Sequence, residues 1–175
     1  MLITKIETER LTLRVIAEGD ARDLFDIFSD HEVMKYWNTA PWSSIDEARS
    51  FITSSTETMN NNTDVTLGIY LKNTEQLLGK IMLFNYQKES RRAEIGFGVS
   101  RKFWGQGIIF EAGNALITYA FNTLHLRRIE AEIDPDNISS GKALERLGFI
   151  KEGHLKQRWE INGVVSDSAI YGLLA

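Results

Sequence analysis

One stretch limits the fold of this chain more than any other: Phe97-Gly98-Val99-Ser100-Arg101-Lys102-Phe103-Trp104-Gly105-Gln106-Gly107-Ile108. Before it, Ala93, Ile95 and Phe97 alternate with Glu94, Gly96 and Gly98, the period-two pattern of a strand. After it, Ile108, Ala112, Ala115, Leu116, Tyr119 and Ala120 recur at the spacing of a helix with a broad apolar face. A strand must therefore turn directly into a long helix, with two glycines at the corner. Glycine lets the backbone come close to a ligand, and a helix start presents N–H groups without an intrahelical acceptor. Those donors and the helix dipole favour an anion such as a pyrophosphate. An ordinary tight turn is the competing reading, because a short glycine loop is a weak signal by itself.

Spacing excludes other phosphate loops. No G-x-x-x-x-G-K-S/T run occurs, and Gly105-x-Gly107 is followed by Phe110 where a dinucleotide fingerprint needs glycine or alanine.

Around this corner the chain reads as one domain spanning 1–175, with no linker or repeat. Asn60-Asn61-Asn62 reads as a turn between elements. Leu11, Leu13 and Val15 alternate with polar residues as a first strand. Asp20 is placed to cap a helix whose inward face is Ala21, Leu24, Phe25 and Phe28. Ser44 and Glu47 have capping-box spacing ahead of Ala48, Phe51 and Ile52. Strands are predicted over 65–71, 77–86, 93–99, 128–133, 149–160 and 165–174, and helices after Gly107 and over 139–147. Consecutive antiparallel strands followed by a strand-helix-strand-helix unit give an α/β (α+β) fold, a mixed sheet with helices on its faces.

Composition closes off several function classes. A chain of 175 residues, 43% apolar and 25% charged, buries a core without staples. Its net charge of −4, with Lys and Arg scattered, argues against direct nucleic-acid binding. There is no cysteine, hence no thiol nucleophile or thiolate metal site, and the three histidines are far apart in sequence, so no metal is expected. The charged start, MLITKIETER, and the lack of a long apolar run point to a cytoplasmic protein without a membrane partner.

Lys102-x-x-Gly105-x-Gly107 resembles the pyrophosphate motif of the GNAT acetyltransferases, which runs Arg or Gln, two residues, Gly, one residue, Gly or Ala. Asn137-Ile138-Ser139-Ser140, followed by Leu144-Glu145-Arg146-Leu147-Gly148-Phe149, is similar to that superfamily's next element. Thr8-Glu9-Arg10-Leu11-Thr12-Leu13-Arg14 resembles the opening strand of its RimJ/RimL branch, which acetylates protein N-termini. Glu152-Gly153 and the stretch 167–174 also fit that branch. The resemblance covers nearly the whole chain, and the order of the blocks makes it specific.

The resemblance implies a mostly antiparallel, twisted sheet splayed where acetyl-CoA binds, between strands ending near Gly98 and Ile133. The pantetheine arm would pair with backbone at Phe97, Gly98 and Val99. Amides of Trp104, Gly105, Gln106, Gly107, Ile108 and Ile109 would hold the pyrophosphate. Asn137 would hydrogen-bond the arm from the other side. Lys142 would reach a cofactor phosphate or remain a solvated helix-surface lysine. Lys102 departs from the family's Arg or Gln, and Ile109 and Phe110 are bulkier than usual there, changes that bear on affinity.

Many GNAT enzymes place at Leu144 a tyrosine that protonates the departing thiolate. In the RimJ/RimL branch a serine after the asparagine is a candidate for that task, and Ser140 matches it; a residue of the helix's first turn is the plainer reading. Glu94 matches the strand glutamate some GNAT enzymes use as base, with a cross-strand pair to Arg or Lys as the alternative. Alternation puts it on one side with Gly96 and Gly98. Glu152 and Glu160 stand in reserve. A base matters because deprotonating an α-amine at pH 7 costs about 1.4 kcal/mol, against roughly 4.6 kcal/mol for a lysine. Tyr36, Trp37 and Trp42 would wall the acceptor pocket or join the core.

The expected activity is transfer of acetyl from acetyl-CoA to a primary amine, with a protein N-terminus as acceptor and a homodimer in keeping with the branch. The alternatives are a small-molecule acceptor (polyamine, amino acid or antibiotic) and a coenzyme A-binding module with little catalysis.

Overall fold

The computed structural model describes residues 3–175; Met1 and Leu2, which open the charged start, lie outside the described residues. Its strands are β1 (Lys5–Glu7), β2 (Leu11–Arg14), β3 (Val65–Leu71), β4 (Leu77–Gln87), β5 (Arg92–Val99), β6 (Arg128–Ile133), β7 (Ile150–Ile161) and β8 (Val164–Leu174). They form one sheet in the order β1-β2-β3-β4-β5-β6-β8-β7. Helices are α1 (Ala21–Phe28), α2 (His31–Met34), α3 (Ile45–Asn60), α4 (Ile108–Asn122) and α5 (Ile138–Arg146). All neighbouring strands run antiparallel except β5 and β6. A parallel pair needs a long crossover, and α4 supplies it.

Alternation sorts the core onto two faces. Leu67, Ile81, Leu83, Ile95 and Ile129 pack against Ala112, Leu116 and Ala120 of α4, against Leu144 of α5 and against Leu147 just after it. On the other face Tyr70 and Leu77 meet Leu24 and Phe28 of α1, Val33 and Met34 of α2, and Ala48 and Ile52 of α3.

The central pair creates the site. β5 and β6 are in register only from Arg92↔Arg128 to Glu94↔Glu130. Beyond Glu94 the two strands part, while β4 still pairs with β5 through Val99. Backbone polar groups of β5 facing the gap are thereby left for a ligand.

Most predicted elements agree with the structure, and the differences have physical causes. β1 was not predicted, because three residues are too short to show alternation. α3 runs eight residues past Ile52, to Asn60, since Ser55 and Met59 extend its buried face. Its capping box forms, with Ser44 N–H donating to Glu47 Oε2 at 3.1 Å. Asp20 occupies the N-cap position of α1 as the sequence suggested, but no amide of that helix binds its carboxylate. That carboxylate instead accepts from Ala17 N–H at 2.8 Å and from the Tyr70 hydroxyl at 2.7 Å, tying the start of α1 to β3.

Candidate active site

The corner at 100–108 has the conformation its glycines suggested. Ser100 N–H donates to Leu78 O at 2.8 Å, ending the sheet, and residues 101–103 make one 3-10 turn. Gly105 (φ +72°) and Gly107 (φ +75°) are left-handed, a region costly for residues with a Cβ. Gly107 starts α4, whose first capped amide is Glu111 N–H on Gly107 O at 3.1 Å. The backbone N–H groups of residues 105–110 have no acceptor among the described residues. A run of free amides at the positive end of a fifteen-residue helix is suited to a pyrophosphate.

Thr8 and Arg10, together with Glu111, which was not singled out in the sequence, hold this loop. Arg10 Nη1 donates to Gln106 O at 2.9 Å, while Arg10 Nε and its own backbone N–H reach Glu111 at 2.6 and 2.7 Å. The Thr8 hydroxyl adds a bond to Glu111 Oε1 at 2.6 Å. Burial alone would raise the Glu111 carboxyl, but these donors and the Arg10 charge outweigh it and hold the group below its ordinary value. The Thr8-Glu9-Arg10 block was visible, but its partner at 111 is paired only through the fold.

A single cleft of about 1380 Å³ joins the loop, the splay, the segment 31–41 and the β7–β8 hairpin. Phe97, Gly98 and Val99 line it from β5, and Trp104, Gly105, Gly107, Ile108 and Ile109 from the corner. Asn137, Ser140 and Lys142 line it from α5, with Glu94, Tyr36 and Trp37 at the other end. Three expected residues lie outside its walls. Lys102 is exposed, and Gln106 turns its amide back onto Lys102 O at 3.1 Å, so neither side chain borders the cleft. Trp42 packs between Phe28 and Phe51, with ring centroids at 5.4 and 5.7 Å, and is a core residue rather than a wall.

At α5, Asn137 is the helix cap: its Oδ1 accepts from Ser140 N–H at 3.2 Å. Its Nδ2 has no acceptor among the described residues and remains free to donate. The Ser140 hydroxyl likewise has no partner among them, whereas Leu144 is fully buried.

Glu94 sits half-buried on the face of Gly96 and Gly98, but those glycines do not leave open room. A Cβ on Gly96 would lie 3.1 Å from Phe84, and one on Gly98 would lie 2.8 Å from Phe28. Glu94 Oε1 accepts from Asn85 Nδ2 at 3.0 Å rather than from Arg or Lys. The nearby arginines are engaged elsewhere: Arg92 and Arg128 bind Glu130, and Arg128 also binds Glu152. Glu152 is thus tied to an ion pair, and neither it nor exposed Glu160 lines the cleft.

A second carboxylate, Glu132, lines the cleft without any local sequence signal to mark it. Glu132 Oε1 accepts from the Ser168 hydroxyl at 2.6 Å and from Trp159 Nε1 at 2.7 Å. Its partners come from β7 and β8, so the arrangement exists only once the C-terminal hairpin docks on β6. Among the described residues no group of three or more His, Asp or Glu side chains is arranged to hold a metal ion. No helix among them is long and apolar enough to cross a membrane.

Residues 10–150 match the family described as acetyltransferase (GNAT) domain. The chain belongs to the GNAT acetyltransferases. This GNAT protein is 37% identical to the N-acetyltransferase p20 of Bacillus licheniformis over 167 residues, 95% of this chain and 94% of p20. It is 28% identical to the ribosomal protein uS5-alanine N-acetyltransferase of Escherichia coli, covering 97% of this chain and 90% of that one. The crystal structure of spermidine N-acetyltransferase from Vibrio cholerae, in complex with CoA and spermine, superposes with a TM-score of 0.84 at 25% identity. That match covers 95% of this chain and 96% of the other. The microcin C7 self-immunity acetyltransferase MccE, in complex with acetyl-CoA and AMP, superposes with a TM-score of 0.86 at 25% identity, covering 96% and 94%. This protein is accordingly an acetyl-CoA-dependent N-acetyltransferase.

Proposed function

We propose that the acceptor is the N-terminal α-amine of a protein. Kinship along nearly the whole chain with an enzyme that acetylates a protein, at alanine on ribosomal protein uS5, carries this reading, and the cleft of about 1380 Å³ has room for an acceptor beside the cofactor. An α-amine also needs less help to lose its proton than a lysine does.

Acetyl-CoA supplies an acyl group activated as a thioester, which passes to the amine as the C–S bond breaks. The free amides of 105–110 hold the pyrophosphate, and backbone at 97–99 with Asn137 Nδ2 orients the arm. Lys142 adds positive charge near the phosphates. Glu94, with one oxygen fixed by Asn85, takes the proton that the acceptor ammonium must lose to become the attacking neutral amine. The unpartnered Ser140 hydroxyl donates a proton toward the sulfur, a task that apolar Leu144 cannot perform. Tyr36 and Trp37 form the acceptor wall, while the charge of Glu132 is offset by Arg158, whose Nε lies 3.5 Å from its Oε1.

A polyamine acceptor is the second reading, favoured by the acidic side chains Glu94 and Asp167 along the cleft and by the spermidine acetyltransferase relative. The deciding measurement is thiol release from acetyl-CoA with free N-terminal peptides, N-blocked lysine peptides and polyamines. Release with free N-termini alone is the expected result. Release with polyamines alone would overturn the substrate class, and cofactor binding without release from any amine would point to a coenzyme A-binding module.

A further inference from the structure

Lys80 is a basic residue inside the core. It lies on β4 directly opposite Gly98 of β5, and 4% of its surface is exposed. Its ammonium has no carboxylate or hydrogen-bond acceptor among the described residues. Four aromatic rings surround it instead. Nζ lies 3.8 Å from the Phe51 ring centroid, 4.3 Å from Phe28, 5.1 Å from Trp37 and 5.4 Å from Trp42. Burial pushes the Lys80 amine down to about 7.

Two of those rings, Trp37 and Trp42, belong to the segment after α2 that walls the acceptor end, while Phe28 lies on α1 and Phe51 on α3. Between α2 and α3 the chain has no regular structure, and residues 38–40 are exposed. Trp37 and Trp42 carry it into the second core cluster. Trp37 serves two surfaces: it lines the cleft, and its Cζ2 lies 2.9 Å from where a Cβ on Gly98 would be. The missing Gly98 side chain is what allows the indole to lie against β5, one residue from Phe97 and Val99. A methionine would fill the centre of this box without the desolvation cost of an amine. What it would lack is a charge that draws ring faces toward one point and so restricts their orientation.

We propose that Lys80 is a positioning residue: its ammonium fixes Trp37 and Trp42 around itself and so sets the acceptor wall of the cleft. This rests on the reading that Tyr36 and Trp37 border the acceptor. Lys80 does not line the cleft and reaches its wall only through the Trp37 ring.

The test compares the whole protein with Lys80→Met, Trp37→Ala and Lys80→Cys. The native chain has no cysteine, so a thiol at 80 is unique and can be aminoethylated in the unfolded state to restore a lysine-like amine before refolding. Below pH 7, where the amine carries its charge, the acceptor KM of Lys80→Met is expected to rise on the order of tenfold. Its CoA Kd should stay within about twofold, and its Tm should be unchanged or higher, because a buried charge has gone. Aminoethylated Lys80→Cys should recover the acceptor KM that unmodified Lys80→Cys loses, and this pair serves if Lys80→Met does not fold. An unchanged acceptor KM in Lys80→Met, with a raised one in Trp37→Ala, would overturn the role of Lys80 and leave the wall intact. Unchanged KM in Trp37→Ala would instead remove the wall reading and the proposal with it. A parallel loss of Tm, CoA affinity and acceptor KM, not recovered by aminoethylation, would reduce Lys80 to packing.

Discussion

Arg10 Nη1 donates to the main-chain carbonyl of Gln106 at 2.9 Å, a bond between residues 96 positions apart that ties the start of β2 to the glycine corner. The same guanidinium is anchored by Glu111 through Nε at 2.6 Å. A loop with two left-handed glycines is intrinsically mobile, and a ligand binding it must otherwise supply the ordering entropy. The clamp supplies part of that order in advance.

Arg10→Met is therefore expected to weaken CoA binding about tenfold, since charged hydrogen bonds contribute on the order of 1.5 kcal/mol and Arg10 is partly exposed. Its kcat at saturating cofactor should change little, because the clamp touches no reacting atom. Calorimetric titration with CoA measures the first quantity and steady-state kinetics the second. Equal CoA affinity in the variant would show that the loop is ordered without Arg10.

Glu94→Gln is expected to slow turnover at pH 7 by about 100-fold, the lower end of general base catalysis. The amide keeps the shape, so CoA affinity should hold. The deficit should shrink as pH approaches the pKa of the acceptor amine, where the neutral nucleophile forms without help, and steepen at low pH. A rate–pH profile parallel to that of the native enzyme would remove Glu94 from proton transfer.

The glycine corner was readable because its signals are local: alternation before it, helical spacing after it, and two glycines between. The Ser44–Glu47 box lies within one helical turn and was equally visible. Asp20 misled because the sequence shows a good cap beside a helix but not Tyr70, fifty residues away, which captures the carboxylate. Trp42 had two readings, and only the positions of Phe28 and Phe51 decide between them. Glu132 gave no signal, since its donors arrive on a hairpin that follows it in sequence. Lys80 looked like an ordinary lysine on a strand until α1, α3 and the 37–42 segment closed over it. Local pattern located the glycine corner; the far end of the cleft is assembled from long-range contacts.

The buried lysine has a thermodynamic signature as well. Burial lowers its pKa to about 7, so between there and about 10.4 the unfolded chain binds a proton that the folded chain does not. Its contribution to stability is least favourable below pH 7 and improves as pH rises through that window. Relative to Lys80→Met, the native protein should gain on the order of 2 kcal/mol between pH 7 and pH 9. Urea unfolding of both proteins at the two pH values measures the difference. A pH-independent gap would mean that the amine reaches water in the fold.

Gly79 makes the strongest steric prediction. It pairs with Val99, and a Cβ there would fall 2.1 Å from the carbonyl oxygen of Gly98. The obstacle is backbone, which cannot rotate aside as a side chain can. Gly79→Ala must push β5 away from β4 at Gly98 and Val99, residues that border the cleft past the point where that strand has left β6. Overpacking of this kind costs about 1–3 kcal/mol, and here it is concentrated on the strand edge expected to hold the pantetheine arm. The variant should melt several degrees lower and lose CoA affinity by at least about tenfold, more than its stability loss alone would produce. Gly153→Ala is the control, since a Cβ there meets only Ile170 at 3.9 Å. Equal effects in the two variants would mean that β4 and β5 can separate at Gly98 without disturbing the cofactor.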